Sequence, residues 1–478
     1  MPLDPSPPAP ILLAVLPLLH GAAGVVSVLL TGVLSALAAA AALRPAALAR
    51  LARIAWRQKP GIIVLALGLT VLAAALVEAR KRSNVREESA HVPAGFSAAR
   101  WPMFRGSLTR TGHADECPGP SHGSVQWSGG RGFVFLSSPA VVGETLVAVG
   151  SRGDSSARFF GFSASTGDLL WTLAPQGYRA TFSSPVISDE HLLCGEGVHT
   201  TRNACARAFK ANAEGTLKEV LKYATKSHVE CTPAVEADRV YFGAGDDGVY
   251  CLNFKSEGGN PIIWHAPGEQ YPDVETALAV YDGRVYVGLG RGGNALCVLN
   301  ADSGNEVARL PMPLPVFSPP AIAGGRLYLG MGSADFVNGA DNSPGEVRCI
   351  ELKSLQTLWT LTTPSPVLAA VVVRDKDLIF ATVEGEVFVA DDDGAVKHRW
   401  RAGGRVLAAP AVTRDMIYCV SCDGLMTALD RRLERIFSTR LGAPGLFISS
   451  PVVYAGRVYV GTPADGFVAV GAPAGPAK

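Results

Sequence analysis

Two short polar segments carry the residue types best suited to chemistry in this 478-residue chain. His228 and Glu230 lie in the first, and Asp273 and Glu275 lie in the second. If the fold brings them together, partly shielded from water, the three carboxylates raise one another's pKa unless a cation satisfies them. His228 is the nearest such cation. Glu230, Asp273 and Glu275 are here called the acidic arc. If these carboxylates stay unpaired, they are expected to attract a basic peptide or an amine.

Other catalytic and metal-binding patterns are weak. No Walker sequence and no Gly-x-Ser-x-Gly elbow occurs, and Cys422 is followed by Asp423 rather than by the His of a haem-attachment motif. The acid run at 391–393 reads as a solvated turn. The hairpin from Ser333 to Gly345 carries oxygens that could gather a calcium ion, but their spacing fits no EF-hand and predicts an exposed loop: Asp335, Asn338, Asp341 and Asn342.

Nine cysteines leave at least one thiol unpaired. Cys251 and Cys349 occupy a strand position that holds Ala428 in another repeat, which is typical of small buried hydrophobes. Cys194 and Cys205 flank one hairpin and are candidates for a cross-strand disulfide in an oxidising compartment.

The elements that would position the polar segments repeat along the chain. Thr232 to Asn253 reads as three short strands with turns, and the segment at Ile263 and Trp264 adds a fourth. Similar units start at 139, 185, 233, 277, 320, 370, 410 and 451. This spacing is that of a four-stranded propeller blade, roughly 40–50 residues. The sequence therefore predicts an all-β, eight-bladed propeller of antiparallel blades.

The eighth unit lacks its fourth strand, because the chain becomes Gly-, Ala- and Pro-rich after Val470. Val125 to Trp127 precede the first unit and are predicted to supply that strand, since a closed ring hides two sheet edges. Five tryptophans are then expected to share one position in the repeat: Trp127, Trp171, Trp264, Trp359 and Trp400.

The residues before each inner strand should ring one opening of the central channel, the mouth. Counting three back from each start gives a mostly apolar ring: Leu136, Phe182, Glu230, Val274, Phe317, Val367, Leu407 and Ile448. Phe135 and Phe447 lie nearby, and Arg179 and Arg405 lie near the starts of blades 2 and 7, with Arg179 able to reach the acids from blade 2. An apolar rim with a few polar groups is typical of ligand and peptide sites. The alternative is a solvated loop set with no role.

The first eighty residues differ from the rest. Apolar runs at about 22–43 and 61–79 are long enough to cross a bilayer, so residues 1–79 are predicted to be a membrane anchor. A cleaved signal peptide is the rival interpretation, but no basic segment precedes Ile11. Five Lys and Arg in the loop 44–59 favour that loop in the cytoplasm and the propeller on the periplasmic side of the inner membrane. Residues 80–100 are predicted to be a flexible tether and 472–478 a disordered tail.

Two features resemble a known family. Trp101 to Gly106 (WPMFRG) looks like the start of many bacterial PQQ-like (pyrroloquinoline-quinone-type) propellers. The Gly four residues before Trp in Ser165 to Trp171 (STGDLLW) resembles that repeat. The resemblance covers roughly residues 101–471. The superfamily contains quinoprotein alcohol and sugar dehydrogenases, and also BamB-like scaffold proteins of outer-membrane assembly that are not enzymes.

The residues favour the second branch. The dehydrogenases hold the quinone and calcium in a funnel built with long insertions, and many carry two adjacent cysteines. This chain has no adjacent cysteines, no haem motif and hardly any residues to spare between blades. We therefore expect a membrane-anchored, non-catalytic platform without cofactor that binds other envelope proteins through blade loops. The alternative is a PQQ-dependent dehydrogenase or a small-ligand sensor that uses the funnel. A net charge of +1 without a basic block in the propeller argues against nucleic acid.

Overall fold

The computed structural model describes residues 99–114, 117–153, 156–212, 215–256, 258–334 and 343–472. The two predicted membrane spans, nearly all of the tether, the tail beyond 472 and the four oxygen ligands of the 333–345 hairpin lie outside these residues. Within the described residues, no helix is long and apolar enough to span a membrane.

The described residues form eight antiparallel sheets, which confirms the predicted propeller. Each sheet is one blade of four strands, and blade 1 gains β1 as a fifth at its inner edge. The strands of blades 1 to 4 and the two that precede them are β1 Ala99–Trp101, β2 Ser124–Gly129, β3 Ala140–Val142, β4 Thr145–Ser151, β5 Ala157–Ser163, β6 Leu169–Leu173, β7 Val186–Ser188, β8 His191–Gly195, β9 Cys205–Ala211, β10 Leu217–Ala224, β11 Ala234–Glu236, β12 Arg239–Gly243, β13 Gly248–Asn253, β14 Ile262–Pro267, β15 Ala279–Tyr281, β16 Arg284–Leu289, β17 Ala295–Asn300 and β18 Glu306–Pro311.

Blades 5 to 8 follow the same order of a short inner strand and three longer ones. Their strands are β19 Ala321–Ala323, β20 Arg326–Gly332, β21 Gly345–Glu351, β22 Thr357–Thr363, β23 Val372–Arg374, β24 Asp377–Ala381, β25 Glu386–Asp391, β26 Val396–Arg401, β27 Ala411–Val412, β28 Met416–Ser421, β29 Leu425–Asp430, β30 Arg435–Arg440, β31 Val452–Tyr454, β32 Arg457–Gly461 and β33 Phe467–Gly471. The middle strands are buried on both faces because each blade packs between two others, whereas the outer strands alternate between exposed and covered residues.

The ring closes where the sequence predicted. Strand β2 pairs antiparallel with β33, with Val125 opposite Val470 and Trp127 opposite Ala469. Blade 8 is therefore built from both ends of the propeller, and no sheet edge is left at the seam.

The tryptophan position is confirmed for four of the five predicted residues. Trp171, Trp264, Trp359 and Trp127 each lie beside a bulge in the outer strand pair. In blade 6 the corresponding residue opposite Val389 is His398, and Trp400 lies two residues further on. The prediction for Trp400 is thus wrong, because Gly394 precedes Trp400 by six residues and His398 by four, and four is the spacing of Gly167 and Trp171.

Three of these indoles, those of Trp127, Trp264 and Trp359, donate a hydrogen bond to the next blade. Trp264 Nε1 of blade 3 donates to the Ala301 carbonyl of blade 4 at 2.9 Å, and Trp359 Nε1 of blade 5 donates to Asp392 of blade 6 at 2.9 Å. The turn that receives Trp264 contains Gly304, whose φ is +72°, and a Cβ there would come within 2.6 Å of the indole. Glycine is therefore required for this contact.

Hydroxyl groups join several blades beside the channel. Ser138 Oγ accepts from the Ser450 backbone nitrogen at 2.8 Å, Ser184 Oγ from Ser138 at 3.0 Å and Thr232 Oγ1 from Ser184 at 2.9 Å. Ser450 Oγ accepts from Ala409 at 3.0 Å. The series runs from blade 7 to blade 3 and crosses the seam.

Residues 101–114, here called the plug segment, lie against the inner strands and close one end of the channel. Besides β1, which pairs with β3, the segment bonds by its backbone to the inner strands of five blades: Pro102 to Ile187, Leu108 to Val280, Thr109 to Ile322, Thr111 to Val373 and Ala114 to Val412. The sequence pattern identified the start of this segment but not its course.

Candidate functional site

A cavity of about 110 Å³ occupies the channel above the plug segment. Phe104 of the plug segment forms part of its lining, and the residues that precede the inner strands form the rest. Six of the eight predicted ring residues line it: Leu136, Phe182, Glu230, Phe317, Leu407 and Ile448. Space of this size can hold several water molecules or a small ligand.

The other two ring residues are shifted by one position. Val274 and Val367 are fully buried in the cores of the blades, and Glu275 and Leu368 line the cavity instead. The reason for Val274 is a backbone bridge, in which Val274 and Gly245 exchange hydrogen bonds of 3.1 Å. A shift of one residue in extended chain reverses the side-chain direction.

Glu230 is a buried acid in the cavity lining. It lines the cavity, is 9% exposed, and its Oε1 atom has no hydrogen-bond partner among the described residues. Burial raises the pKa of Glu230 well above its ordinary value, and the charges of Glu275 and Asp273 raise it further. These three acids therefore interact, as the sequence predicted. Thr276 Oγ1, also in the lining, is buried without a partner as well.

Asp273 lies beside this acid but does not line the cavity. Its Oδ2 accepts a hydrogen bond from the Arg291 backbone nitrogen at 2.5 Å. Burial and the nearby Glu275 raise the pKa of Asp273 to about 6. Asp273 is thus partly satisfied by its own loop.

Glu275 is paired with two histidines. His228 Nε2 lies 3.2 Å from Glu275 Oε1, and His199 Nδ1 contacts the same oxygen. Burial alone would raise the pKa of Glu275, but the hydrogen bond from His228 and the charge of His199 outweigh it and lower the pKa. The predicted His228 partnership is present. His199 was missed, because it lies in the β8–β9 loop, far from any inner-strand start.

Arg179 is held by its own blade. Arg179 donates to Glu196 Oε1 at 3.2 Å and to the carbonyls of Arg202 and Asn203, all within blade 2. The predicted reach of Arg179 across to the acidic arc is therefore wrong. Arg405 is not in the cavity lining, and its carbonyl accepts from Cys422 at 2.8 Å.

Two other groups of predicted residues also lie away from the mouth. Phe447 is 1% exposed and packs in a buried cluster with Val420 and Val460, so it is a core residue. Cys194 and Cys205 are both free thiols. Cys194 lies opposite Arg207 and Cys205 opposite Ala224, so the expected cross-strand disulfide is not formed.

Comparison with known proteins agrees with this architecture. A family model described as outer membrane protein assembly factor BamB matches residues 255–368 and 343–476. This match, in the second half of the chain, supports the predicted resemblance to PQQ-like β-propellers. No curated protein matches it.

Solved PQQ-like propellers and one designed protein share the fold at low identity. BamB from Moraxella catarrhalis has a TM-score of 0.55 at 14% identity, covering 72% of this chain and 98% of that one. Quinohemoprotein alcohol dehydrogenase from Comamonas testosteroni has a TM-score of 0.56 at 11% identity, covering 83% of both chains. The computationally designed Ika8 protein has a TM-score of 0.57 at 15% identity, covering 72% of this chain and 98% of that one. These likenesses establish the fold and do not separate a scaffold from an enzyme.

Proposed function

We propose that this PQQ-like propeller is a membrane-anchored, non-catalytic binding platform, similar in role to BamB-like scaffold proteins, whose working surface is the mouth. The observation that carries the proposal is the unpaired, buried Glu230 Oε1 in an otherwise largely apolar cavity. Buried polar groups in native proteins almost always have a partner. A partner supplied from outside the chain accounts for this one.

The chemistry of the mouth favours a basic occupant. Glu230 and Glu275 are the charged residues among the described lining, and both are acids. His199 and His228 both contact Glu275 Oε1, so Glu230 is the acid available to a ligand. A lysine side chain or another amine presents an apolar stem to the ring and a cation to Glu230.

The charge of the lining favours a basic ligand over the quinone cofactor of the dehydrogenase branch. Pyrroloquinoline quinone carries three carboxylates, which need cationic or hydrogen-bond-donating partners. No Lys, Arg or His is among the described residues that line the cavity, whereas two of them are acids. The small-ligand alternative is compatible with the cavity, provided that the ligand is small and basic.

Anchoring and location are part of the same proposal. The apolar runs at 22–43 and 61–79 support an anchor in the inner membrane, and the basic loop between them supports a periplasmic propeller. Other envelope proteins are then the available partners.

Glu230→Gln tests the proposal because it removes the charge and keeps the shape. The full chain is isolated from detergent-solubilised membranes, and co-purifying proteins and bound amines are quantified for wild type and variant. We expect the Glu230→Gln variant to recover less of a specific partner than the wild type does. The decrease should correspond to a loss of about 1–3 kcal/mol of binding free energy, the range for a lost charged hydrogen bond.

The matched control is Glu236→Gln, an exposed acid at the far end of the inner strand of the same blade. This variant should behave as wild type. Equal partner recovery from the Glu230 variant and the control would refute the proposal. A quinone absorbance band with dye reduction by alcohols, after addition of quinone and calcium, would move the chain to the dehydrogenase branch.

A further inference from the structure

Two imidazoles and one carboxylate converge at the edge of the mouth. The ligand atoms of His199, His228 and Glu275 all lie within 4.8 Å of one another. We propose that these three side chains bind one divalent transition-metal ion of the zinc class. The inference goes beyond the proposed platform function and does not depend on it.

The separations already approach those of a metal site. Zinc binds imidazole nitrogen and carboxylate oxygen at roughly 2.0–2.2 Å, which places two tetrahedral ligands about 3.3 Å apart. His228 Nε2 and Glu275 Oε1 are 3.2 Å apart. The His199 side chain is 71% exposed, so it can turn to complete the site without disturbing the core.

The surrounding chain fixes the buried histidine in the required orientation. Ser227 Oγ lies 3.2 Å from His228 Nδ1, which leaves Nε2 directed at Glu275. Gly245 brings its backbone so close that a Cβ there would lie 2.6 Å from the His228 ring. A hydrogen bond to the second imidazole nitrogen is the usual means by which proteins orient a metal-binding histidine.

Two of the three ligands are shielded from bulk water. The side chains of His228 and Glu275 are 4% and 13% exposed, so an ion held between them would be partly enclosed by the protein.

The ligand set selects the class of ion. Two nitrogens and one oxygen suit zinc, copper or nickel, whereas magnesium and calcium prefer oxygen ligands alone. Three protein ligands leave a fourth position for water or for a group of a bound partner.

The test uses the full chain, purified in detergent, stripped with a chelator and titrated with zinc against a chromophoric zinc chelator. We expect one competitive zinc ion per chain that millimolar calcium or magnesium does not displace. His199→Ala and His228→Ala should each weaken zinc binding at least tenfold, because loss even of a partner that orients a ligand costs about 10–100-fold. Cobalt should produce visible absorption bands that His199→Ala abolishes.

The matched control is His122→Ala, which removes an exposed histidine outside the cluster and should change the affinity less than twofold. His228 is buried, so its variant can lose structure, and circular dichroism detects this. His199 is exposed, and its variant decides the question in either case. Equal zinc affinity and equal cobalt spectra for wild type and His199→Ala would overturn the inference.

Discussion

At the scale of single residues, the contacts between blades depend on one glycine per turn rather than on tryptophan alone. Gly304 combines a left-handed backbone with a direct approach to the Trp264 ring. Gly283 has a similar φ of +66°, yet a Cβ there would meet nothing within 4 Å. Alanine at Gly283 would therefore introduce backbone strain alone, whereas alanine at Gly304 would introduce the same strain and also disturb the contact with the indole.

We expect Gly283→Ala to lower the free energy of unfolding by about 1–2 kcal/mol, the strain of a left-handed residue. Gly304→Ala should lower it by about 1–3 kcal/mol more, because the added methyl group displaces the indole. Urea denaturation followed by far-ultraviolet circular dichroism measures both. Equal midpoints for the two variants would show that the indole contact contributes nothing.

The candidate site shows why residue-level prediction was only partial. The position of Glu230 in the cavity lining was predicted correctly because this residue lies a fixed distance before an inner strand, and strand starts can be read from the repeat. His199 was not predicted, since it comes from a loop whose path depends on packing across blades. Arg179 was misplaced because Glu196 in its own blade is a nearer partner.

At the scale of elements, the plug segment places a buried arginine among the blades. Arg110 is fully buried, and it donates to the carbonyls of Leu278, Phe104, Thr232 and Pro233. Burial lowers the pKa of Arg110 to about 10, which leaves it charged at neutral pH. One guanidinium thus connects the plug segment to the connections that precede blades 3 and 4.

Replacing Arg110 by Met should lower the free energy of unfolding by about 3 kcal/mol or more, since several buried carbonyls lose their donor. Arg110→Lys should not restore stability, because a compact ammonium cannot match the planar fork of donors. Arg435→Met changes an exposed arginine on β30 and should stay within about 0.5 kcal/mol of wild type. Thermal unfolding of the three variants measures these effects, and similar midpoints for all would contradict this role.

Repetition decides which elements could be predicted. The blades were predicted because hydrophobic alternation and turn residues recur eight times, so each copy supports the others. The plug segment occurs once, has no period and forms its hydrogen bonds with strands distant in sequence. Nothing local indicates its path.

At the scale of the whole molecule, the β2–β33 seam and the proposed anchor can be tested together. Deleting residues 1–95 removes the apolar runs and retains the plug segment and β2, so the product should be folded and soluble without detergent. Deleting residues 1–130 removes the plug segment and β2, exposes the edge of β33 and should cause aggregation. Sedimentation and circular dichroism compare the two. Equal solubility and equal melting would show that neither the plug segment nor the seam stabilises the ring.

The seam has a consequence for biosynthesis. Because β33 is the last strand of the propeller, blade 8 can be completed only after all the other strands have left the ribosome. Until then β2, although synthesised early, has no partner, and the inner strands lack a finished ring in which to hold the plug segment. Pairings between such distant segments form slowly and leave strand edges open to other chains. The interval between synthesis of β2 and of β33 is therefore the period in which this protein most needs a chaperone, and premature termination within the last blade would extend that period indefinitely.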